Sequence, residues 1–92
     1  MILRFRHRGL KKLFEHDDPR GLPRPYIEKI QRVLLALDTV SEPAALDLPG
    51  FGLHRLSGDL AGFWSITVSR NWRIVFQFEG ENTAEVDFLD YH

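Results

Sequence analysis

Cysteine is absent from the sequence, so neither disulfide bonds nor thiolate metal sites can supplement the hydrophobic core. Long apolar runs are absent as well: residues 1–18 carry several basic side chains and no stretch long enough for a signal peptide or a membrane span. Because nothing indicates an oxidising compartment, a leader or a membrane, we expect a cytoplasmic protein that does not engage membranes.

The sequence also lacks the motifs of several enzyme classes. It contains no nucleotide-binding glycine loop, no GxSxG, no HExxH and no paired CxxC. Nucleotide transfer, serine hydrolysis and zinc chemistry therefore lack their usual sequence supports, and we expect neither a metal nor another cofactor.

What the sequence does contain indicates a chain that folds. Its 92 residues are 43% hydrophobic and 12% aromatic, well above the apolar content of disordered chains. A chain of this size buries one core but not two, so we expect a single domain over residues 1–92. We interpret Trp64 and Trp72 as core or near-core aromatics rather than as platforms for stacking bases.

The net charge of −1 conceals an uneven distribution along the chain. Basic residues concentrate near the beginning and acidic residues near the end: Arg4, Arg6, Arg8, Lys11 and Lys12 against Glu79, Glu81, Glu85, Asp87 and Asp90. The basic cluster predicts either a face that binds phosphates or, as is commoner for scattered surface cations, an ordinary solvated surface.

The first half of the chain predicts one strand and two helices. Residues 2–6 nearly alternate apolar and basic side chains, as a half-buried strand does. Apolar residues at spacings of three and four predict a short helix over residues 7–16, ended by residues 17–21. A second amphipathic helix is predicted to start near Arg24 and to continue to Leu37, with its apolar stripe covering a sheet.

The second half predicts a meander of strands. Residues 39–50 are interpreted as a loop with one helical turn around Ala44. Strands are predicted over residues 52–56, 63–68, 72–78 and 84–89, separated by short turns rich in Gly, Ser, Asp and Asn. We therefore expect an α+β domain with a small mixed or antiparallel sheet and two N-terminal helices packed on one face.

Six side chains could together cleave RNA without a metal: His54, Arg55, Arg73, Asp90, Tyr91 and His92. Such cleavage needs a base for the 2'-hydroxyl, an acid for the leaving oxygen and a cation for the phosphorane, and His, Tyr and Arg suit those tasks. The structural alternatives are a satisfied strand histidine at His54, a frayed end at His92 and, at Arg73, an exposed cation that covers a tryptophan face.

Taken together, these residues resemble the HigB toxins of the RelE superfamily, and the resemblance covers nearly the whole chain. The segments that carry it are Leu53–Asp59 (LHRLSGD), Gly62–Val68 (GFWSITV), Asn71–Phe76 (NWRIVF) and the final Asp90–His92 (DYH), with Phe5, His7, Gly9, Leu10 and Leu13–Glu15 fitting the family's opening. The combined pattern is specific, although any one piece would be weak alone.

The resemblance implies a RelE-like fold and a metal-independent endoribonuclease that cuts messenger RNA in the ribosomal decoding site through attack of the 2'-hydroxyl. It also implies neutralisation by HigA, a helix-turn-helix antitoxin whose complex with the toxin binds operator DNA. The positions that match the family's catalytic residues are His54, Arg73, Asp90, Tyr91 and His92. Contacts to RNA or the ribosome are expected from Arg4, Arg6, Arg8, Lys11, Lys12, Arg55, Ser57 and Arg70.

One position departs from the family pattern: Ser57 stands where some active HigB toxins have a lysine. A hydroxyl cannot replace a cation, so the resemblance predicts heavier use of Arg55, Arg70 or Arg73, or slower cleavage. Ser57 also supports an alternative, a weak or inactive homologue that mainly binds its antitoxin. A DNA-binding or purely structural module is disfavoured because neither predicted helix has the turn and basic recognition face of a helix-turn-helix.

Overall fold

The computed structural model describes residues 1–91, so the predicted catalytic residue His92 lies outside the described residues. Within that range the chain forms two α-helices and four strands: α1 (Arg8–His16), α2 (Ile27–Thr39), β1 (His54–Arg55), β2 (Trp64–Thr67), β3 (Trp72–Glu79) and β4 (Asn82–Asp90). The strands lie side by side in chain order, and each pairs antiparallel with the next. The predicted α+β class and meander are confirmed.

Local chemistry explains both helices. Nδ1 of His7 accepts a hydrogen bond from the backbone N–H of Leu10 at 3.2 Å and caps the start of α1. The helix ends at Asp17, whose φ of 56° is left-handed. In α2 the apolar residues recur at spacings of three and four and are buried: Ile30, Val33, Leu34 and Leu37. No helix in residues 1–91 combines the length and apolar character needed to cross a membrane.

The core lies between the two helices and one side of the sheet. The sheet contributes buried apolar residues to it: Ile66, Val68, Ile74, Phe76, Val86 and Phe88. Trp64 and Trp72 are half-buried and pack against this cluster, and Trp72 stacks on Phe88 with ring centroids 4.5 Å apart. The interpretation of both tryptophans as near-core residues is confirmed.

The predicted strand over residues 2–6 is wrong as a regular strand. The segment instead makes two isolated parallel bridges to β4, from Ile2 to Thr83 and from Phe5 to Val86. Between those two positions β4 bulges: its register against β3 shifts, and Glu85 has a φ of 53°. The extra residue breaks the two-residue repeat that a continuous ladder requires.

The predicted strand over residues 52–56 is shorter than expected, because regular pairing covers only His54–Arg55. Gly52 has a φ of 56°, which is not extended backbone, and a Cβ there would lie 2.9 Å from Oγ1 of Thr67. On the other side, Ser57 leads directly into a 3₁₀ turn at Gly58–Leu60. The loop before β1 contains the predicted helical turn, at Pro43–Leu46.

Candidate active site

The strand register places His54 and Arg73 on the same side of the sheet. His54 is paired with Ser65, which in turn is paired with Val75. Arg73 lies two residues from Val75 on β3, and residues two apart on a strand point to the same side. The intervening Ile74 is fully buried against the helices. His54 and Arg73 therefore face away from the helices, on what we call the open face.

On the open face, His54 and Arg73 stand on either side of β2. They lie two strands and two residues apart, which corresponds to about 12 Å between their Cα atoms. The positions between them on β2 are the small polar residues Ser65 and Thr67, paired with Val75 and Arg73. Of these two residues, Ser65 is buried and Thr67 is half-buried.

Main-chain carbonyls hold the Arg73 guanidinium in place. Its Nη1 donates to the carbonyl oxygen of Ser69 at 2.6 Å, with longer hydrogen bonds to the carbonyls of Arg70 and Trp72. The guanidinium carbon lies 5.5 Å from the ring centroid of Tyr91. Arg73 therefore rests on a tyrosine and not on a tryptophan face, which corrects that alternative and brings two predicted site residues together.

Asp90 occupies a different side of the sheet from these residues. It is paired with Trp72, whose ring packs on the core side, whereas Tyr91 follows it at the end of β4 beside Arg73. Neighbouring residues on a strand point to opposite sides of the sheet, so Asp90 points to the helix side, whereas the next residue, Tyr91, contacts Arg73.

The two charge clusters that are far apart in the sequence meet at the bulge in β4. Arg4 forms ion pairs with both Glu79 and Glu85, and Arg6 forms one with Glu85 at 3.1 Å. Hydrogen bonds from Arg4 and then Arg6 hold the pKa of the Glu85 carboxyl below its usual value. The Arg6 guanidinium also lies 5.1 Å from the ring centroid of Phe63. These arginines tie the N-terminal segment to the sheet.

The other predicted RNA contacts are dispersed. Arg8, Lys11 and Lys12 are exposed on α1, which packs on the helix side of the sheet, away from His54 and Arg73. The guanidinium of Arg55 lies 5.5 Å from the ring centroid of its strand partner Trp64, which packs on the helix side of the sheet, and Ser57 is exposed after β1. Arg70 is exposed in the turn between β2 and β3.

One partly buried cation was not predicted from the sequence. Lys29 of α2 donates from Nζ to the carbonyl oxygen of Gly50 at 2.7 Å. Burial lowers the pKa of the Lys29 ammonium, and the positive charges of Arg32 and Arg73 lower it further. No sequence signal marks this lysine, because its position depends on where α2 crosses the sheet.

No group of three or more His, Asp or Glu side chains in residues 1–91 is arranged to hold a metal ion.

Comparisons with known proteins agree on one group of relatives. A family model described as the RelE-like toxin of the type II toxin–antitoxin system HigB matches residues 3–92. Endoribonuclease HigB from Proteus vulgaris is 44% identical over 92 residues, and the alignment covers all of both chains. Toxin HigB-1 from Vibrio cholerae is 32% identical over 94 aligned positions, covering 100% of this chain and 98% of the relative.

The fold comparison gives the same architecture. The YoeB–YefM complex from Staphylococcus aureus contains a chain that superposes with a TM-score of 0.65 at 15% sequence identity. The match covers 100% of this chain and 95% of the other. This likeness confirms the predicted RelE-like fold.

Proposed function

The chain belongs to the HigB family of RelE-like toxins from type II toxin–antitoxin systems, and we propose that it is an endoribonuclease that cuts messenger RNA held in the ribosomal decoding site. A toxin of this type has an antitoxin as its partner. We propose a HigA-like helix-turn-helix protein for that role, with operator DNA bound only through the complex and with the cytoplasm as the site of action.

The proposed reaction uses His54 and Arg73 from the open face together with the final residues Asp90, Tyr91 and His92. The 2'-oxygen attacks the adjacent phosphorus as the bond from phosphorus to the 5'-oxygen breaks, leaving a 2',3'-cyclic phosphate and a 5'-hydroxyl. One imidazole of His54 and His92 takes the 2'-hydroxyl proton, and the other protonates the leaving oxygen. Arg73 stabilises the charge on the phosphorane, while Asp90 and Tyr91 orient these groups or the RNA.

The observation that carries this proposal is the shared face of His54 and Arg73. Two groups with different chemistry lie about 12 Å apart on paired strands, over the small residues Ser65 and Thr67. The guanidinium is already oriented by carbonyls and by Tyr91, so little reorganisation is needed when a phosphate binds.

We propose a graded role for the basic residues in ribosome binding. Arg8, Lys11 and Lys12 are exposed on α1 and are available to ribosomal phosphates. For Arg4 and Arg6, a phosphate has to compete with Glu79 and Glu85. Arg55 and Ser57, at the β1 edge, and Arg70, in the β2–β3 turn, are proposed to contact the messenger RNA.

A weaker function is supported by one observation, the exposed hydroxyl of Ser57 where some relatives have a lysine. In that case the chain would bind its antitoxin and cleave slowly or not at all.

The test is cleavage of a defined messenger RNA on purified ribosomes, compared with the same RNA free in solution. We expect cleavage on ribosomes, little on free RNA, and products ending in a 2',3'-cyclic phosphate. A 2'-deoxy substitution at the attacking nucleotide should abolish cleavage, and an added antitoxin should block it. Intact RNA on ribosomes with well-folded protein would favour the weak homologue, whereas 3'-hydroxyl products would contradict the 2'-hydroxyl mechanism.

A further inference from the structure

A groove with a largely apolar lining lies between α2 and the loop that precedes β1, and we call it the α2 groove. Its volume is about 540 Å³. Apolar side chains line both of its walls: Leu35, Ala36 and Val40 at α2, and Leu48, Pro49 and Phe51 in the loop. Leu35 is 64% exposed and Leu48 is 43% exposed. Single exposed leucines are common on protein surfaces, but two that share one apolar groove indicate a surface that binds another molecule.

Leu35 is not needed for the packing of α2 on the rest of the chain. The apolar residues that α2 buries in the core are Ile30, Val33, Leu34 and Leu37. Leu35 instead borders the α2 groove and two neighbouring depressions, one beside Phe14 of α1 and one beside Gln31 and Arg32. An apolar side chain at the meeting point of three depressions has the position of an anchor for a partner.

The charge at the α2 groove is positive. Arg32 is exposed, and among the described residues that line the groove it is the one charged side chain. Glu28 borders a neighbouring depression, and Asp47 precedes Leu48 without lining the groove. A ligand for the groove therefore needs apolar side chains and a carboxylate near Arg32. A protein segment can supply both, whereas an RNA backbone supplies only the negative charge.

The backbone along the groove shows which conformation that segment needs. Leu48 and Phe51 donate their backbone N–H groups within the loop, and Pro49 has none. On the other wall, the backbone is paired within α2 as far as Val40, whose N–H donates to the carbonyl of Ala36. Neither wall can take up an extended segment as an added strand. The occupant must therefore satisfy its own backbone hydrogen bonds, as a helix does.

We infer that the α2 groove is the docking site for an amphipathic helix of the antitoxin. Apolar residues of that helix pack against Leu35 and Leu48, and an acidic residue pairs with Arg32. This inference rests on the proposed function, because the occupant belongs to the antitoxin that a toxin of this family has as its partner. The groove shares no residue with the candidate active site, so RNA and antitoxin bind through different side chains.

The first experiment measures binding of the purified chain to the helix-turn-helix protein encoded beside it, by biolayer interferometry. Leu35→Glu places a carboxylate in the apolar groove, and the affinity should fall about 30-fold or more, as at an anchor residue. Arg32→Gln should lower the association rate constant and its dependence on salt, because a charge at the rim acts mainly on encounter. Leu3→Glu makes the same change at a leucine that is 39% exposed outside the groove, and it should keep the wild-type affinity.

A second measurement locates the bound helix and does not depend on weakening it. The chain has no cysteine, so Leu48→Cys carries its only thiol. Alkylation of this thiol is followed by mass spectrometry with and without saturating antitoxin. The antitoxin should almost stop the reaction, because a covered thiol is inaccessible. The thiol of Leu3→Cys should react at the same rate under both conditions.

Wild-type affinity for Leu35→Glu would overturn the docking site, as would an equal loss for Leu3→Glu or unchanged alkylation of Leu48→Cys. If the wild type dimerises and Leu35→Glu dissociates the dimer without changing antitoxin affinity, the groove holds a second copy and the inference is wrong. No binding by the wild type would contradict the proposed partner and the inference together. Wild-type cleavage on ribosomes is measured in parallel. Its absence alongside binding that depends on Leu35 would overturn the proposed endoribonuclease and leave the docking site standing.

Discussion

Arginines stand at opposite ends of the sheet, two at one end and one at the other, and their partners differ. At the bulge in β4, Arg4 and Arg6 are paired with the carboxylates of Glu79 and Glu85. At the other end, Arg73 is held by the main-chain carbonyls of the β2–β3 turn and by the ring of Tyr91. Carboxylates neutralise a guanidinium, whereas carbonyl dipoles orient it and leave its net charge in place.

This difference separates a structural from a functional use of the same side chain. The paired arginines fasten the N-terminal segment to a strand that it cannot join by a continuous ladder, because β4 bulges at Glu85. The guanidinium of Arg73 is fixed in direction by carbonyls and Tyr91, and on the proposed function it binds the phosphate. The comparison therefore predicts large effects on activity at Arg73 and small effects on stability at the bulge.

The largest expected effect is at Arg73. Replacing it with lysine keeps the charge but loses the planar fork that the three carbonyls orient. We expect the cleavage rate on programmed ribosomes to fall by about 10²- to 10³-fold, as when a preorganised transition-state donor is removed. The melting temperature is measured as a control for folding. A folded Arg73→Lys variant with full activity would contradict the functional role that distinguishes Arg73 from the carboxylate-paired arginines at the bulge.

Deletion of His92 should have the next largest effect. It removes a proposed proton-transfer group worth roughly 10²-fold or more in rate, while loss of a terminal residue should leave folding almost unchanged. The matched variant is His54→Gln, which removes the other imidazole from the exposed edge strand β1. If deletion of His92 leaves the rate intact, the family's terminal motif does not act in this chain, and His54 with Arg73 is the whole site.

Substitution of Ser57 by lysine should have a smaller effect in the opposite direction. It adds a cation just after β1, where Ser57 offers only a hydroxyl. Cleavage should stay equal or rise, measured as the single-turnover rate, if the missing lysine limits this enzyme. A clear fall in rate with folding intact would show that the Ser57 hydroxyl has its own role.

Much of this architecture follows from local sequence pattern. The spacing of Ile30, Val33, Leu34 and Leu37 predicts α2, and the turn signals predict the meander, because these features depend on neighbours in the chain. The predicted strand over residues 2–6 failed because its pairing depends on a bulge at Glu85, about eighty residues away. The alternation of apolar and basic residues indicates that a segment prefers extended backbone, but it does not show whether the partner strand is regular enough to pair with it.

The candidate site was likewise predictable from the sequence only in part. Residue chemistry and family resemblance predicted His54, Arg73 and Tyr91, and the structure brings Arg73 and Tyr91 into contact. The pairing of the basic N-terminal residues with Glu79 and Glu85 was not predicted, although both clusters were visible in the sequence. Lys29 could not be found at all from spacing, because only the crossing of α2 over the sheet places it near Gly50.

The smallest expected effect is at the bulge, and it depends on pH. Hydrogen bonds from Arg4 and Arg6 lower the pKa of Glu85 in the folded chain from the ordinary value of 4.5. The folded state therefore binds this proton less readily than the unfolded chain, so Glu85 contributes stability above that value and loses it as the pH falls through the lowered pKa. We expect Glu85→Gln to melt slightly below wild type at pH 7, with the difference shrinking as the pH falls below 4.5 and through the lowered pKa of Glu85, as followed by circular dichroism. Glu81→Gln, at an exposed position of the β3–β4 turn, should show no such difference.

Because Glu85→Gln also frees Arg4 and Arg6 from a carboxylate, ribosome binding by this variant should stay equal or tighten. A loss of cleavage comparable to that of Arg73→Lys would mean that the paired arginines belong to the catalytic machinery after all.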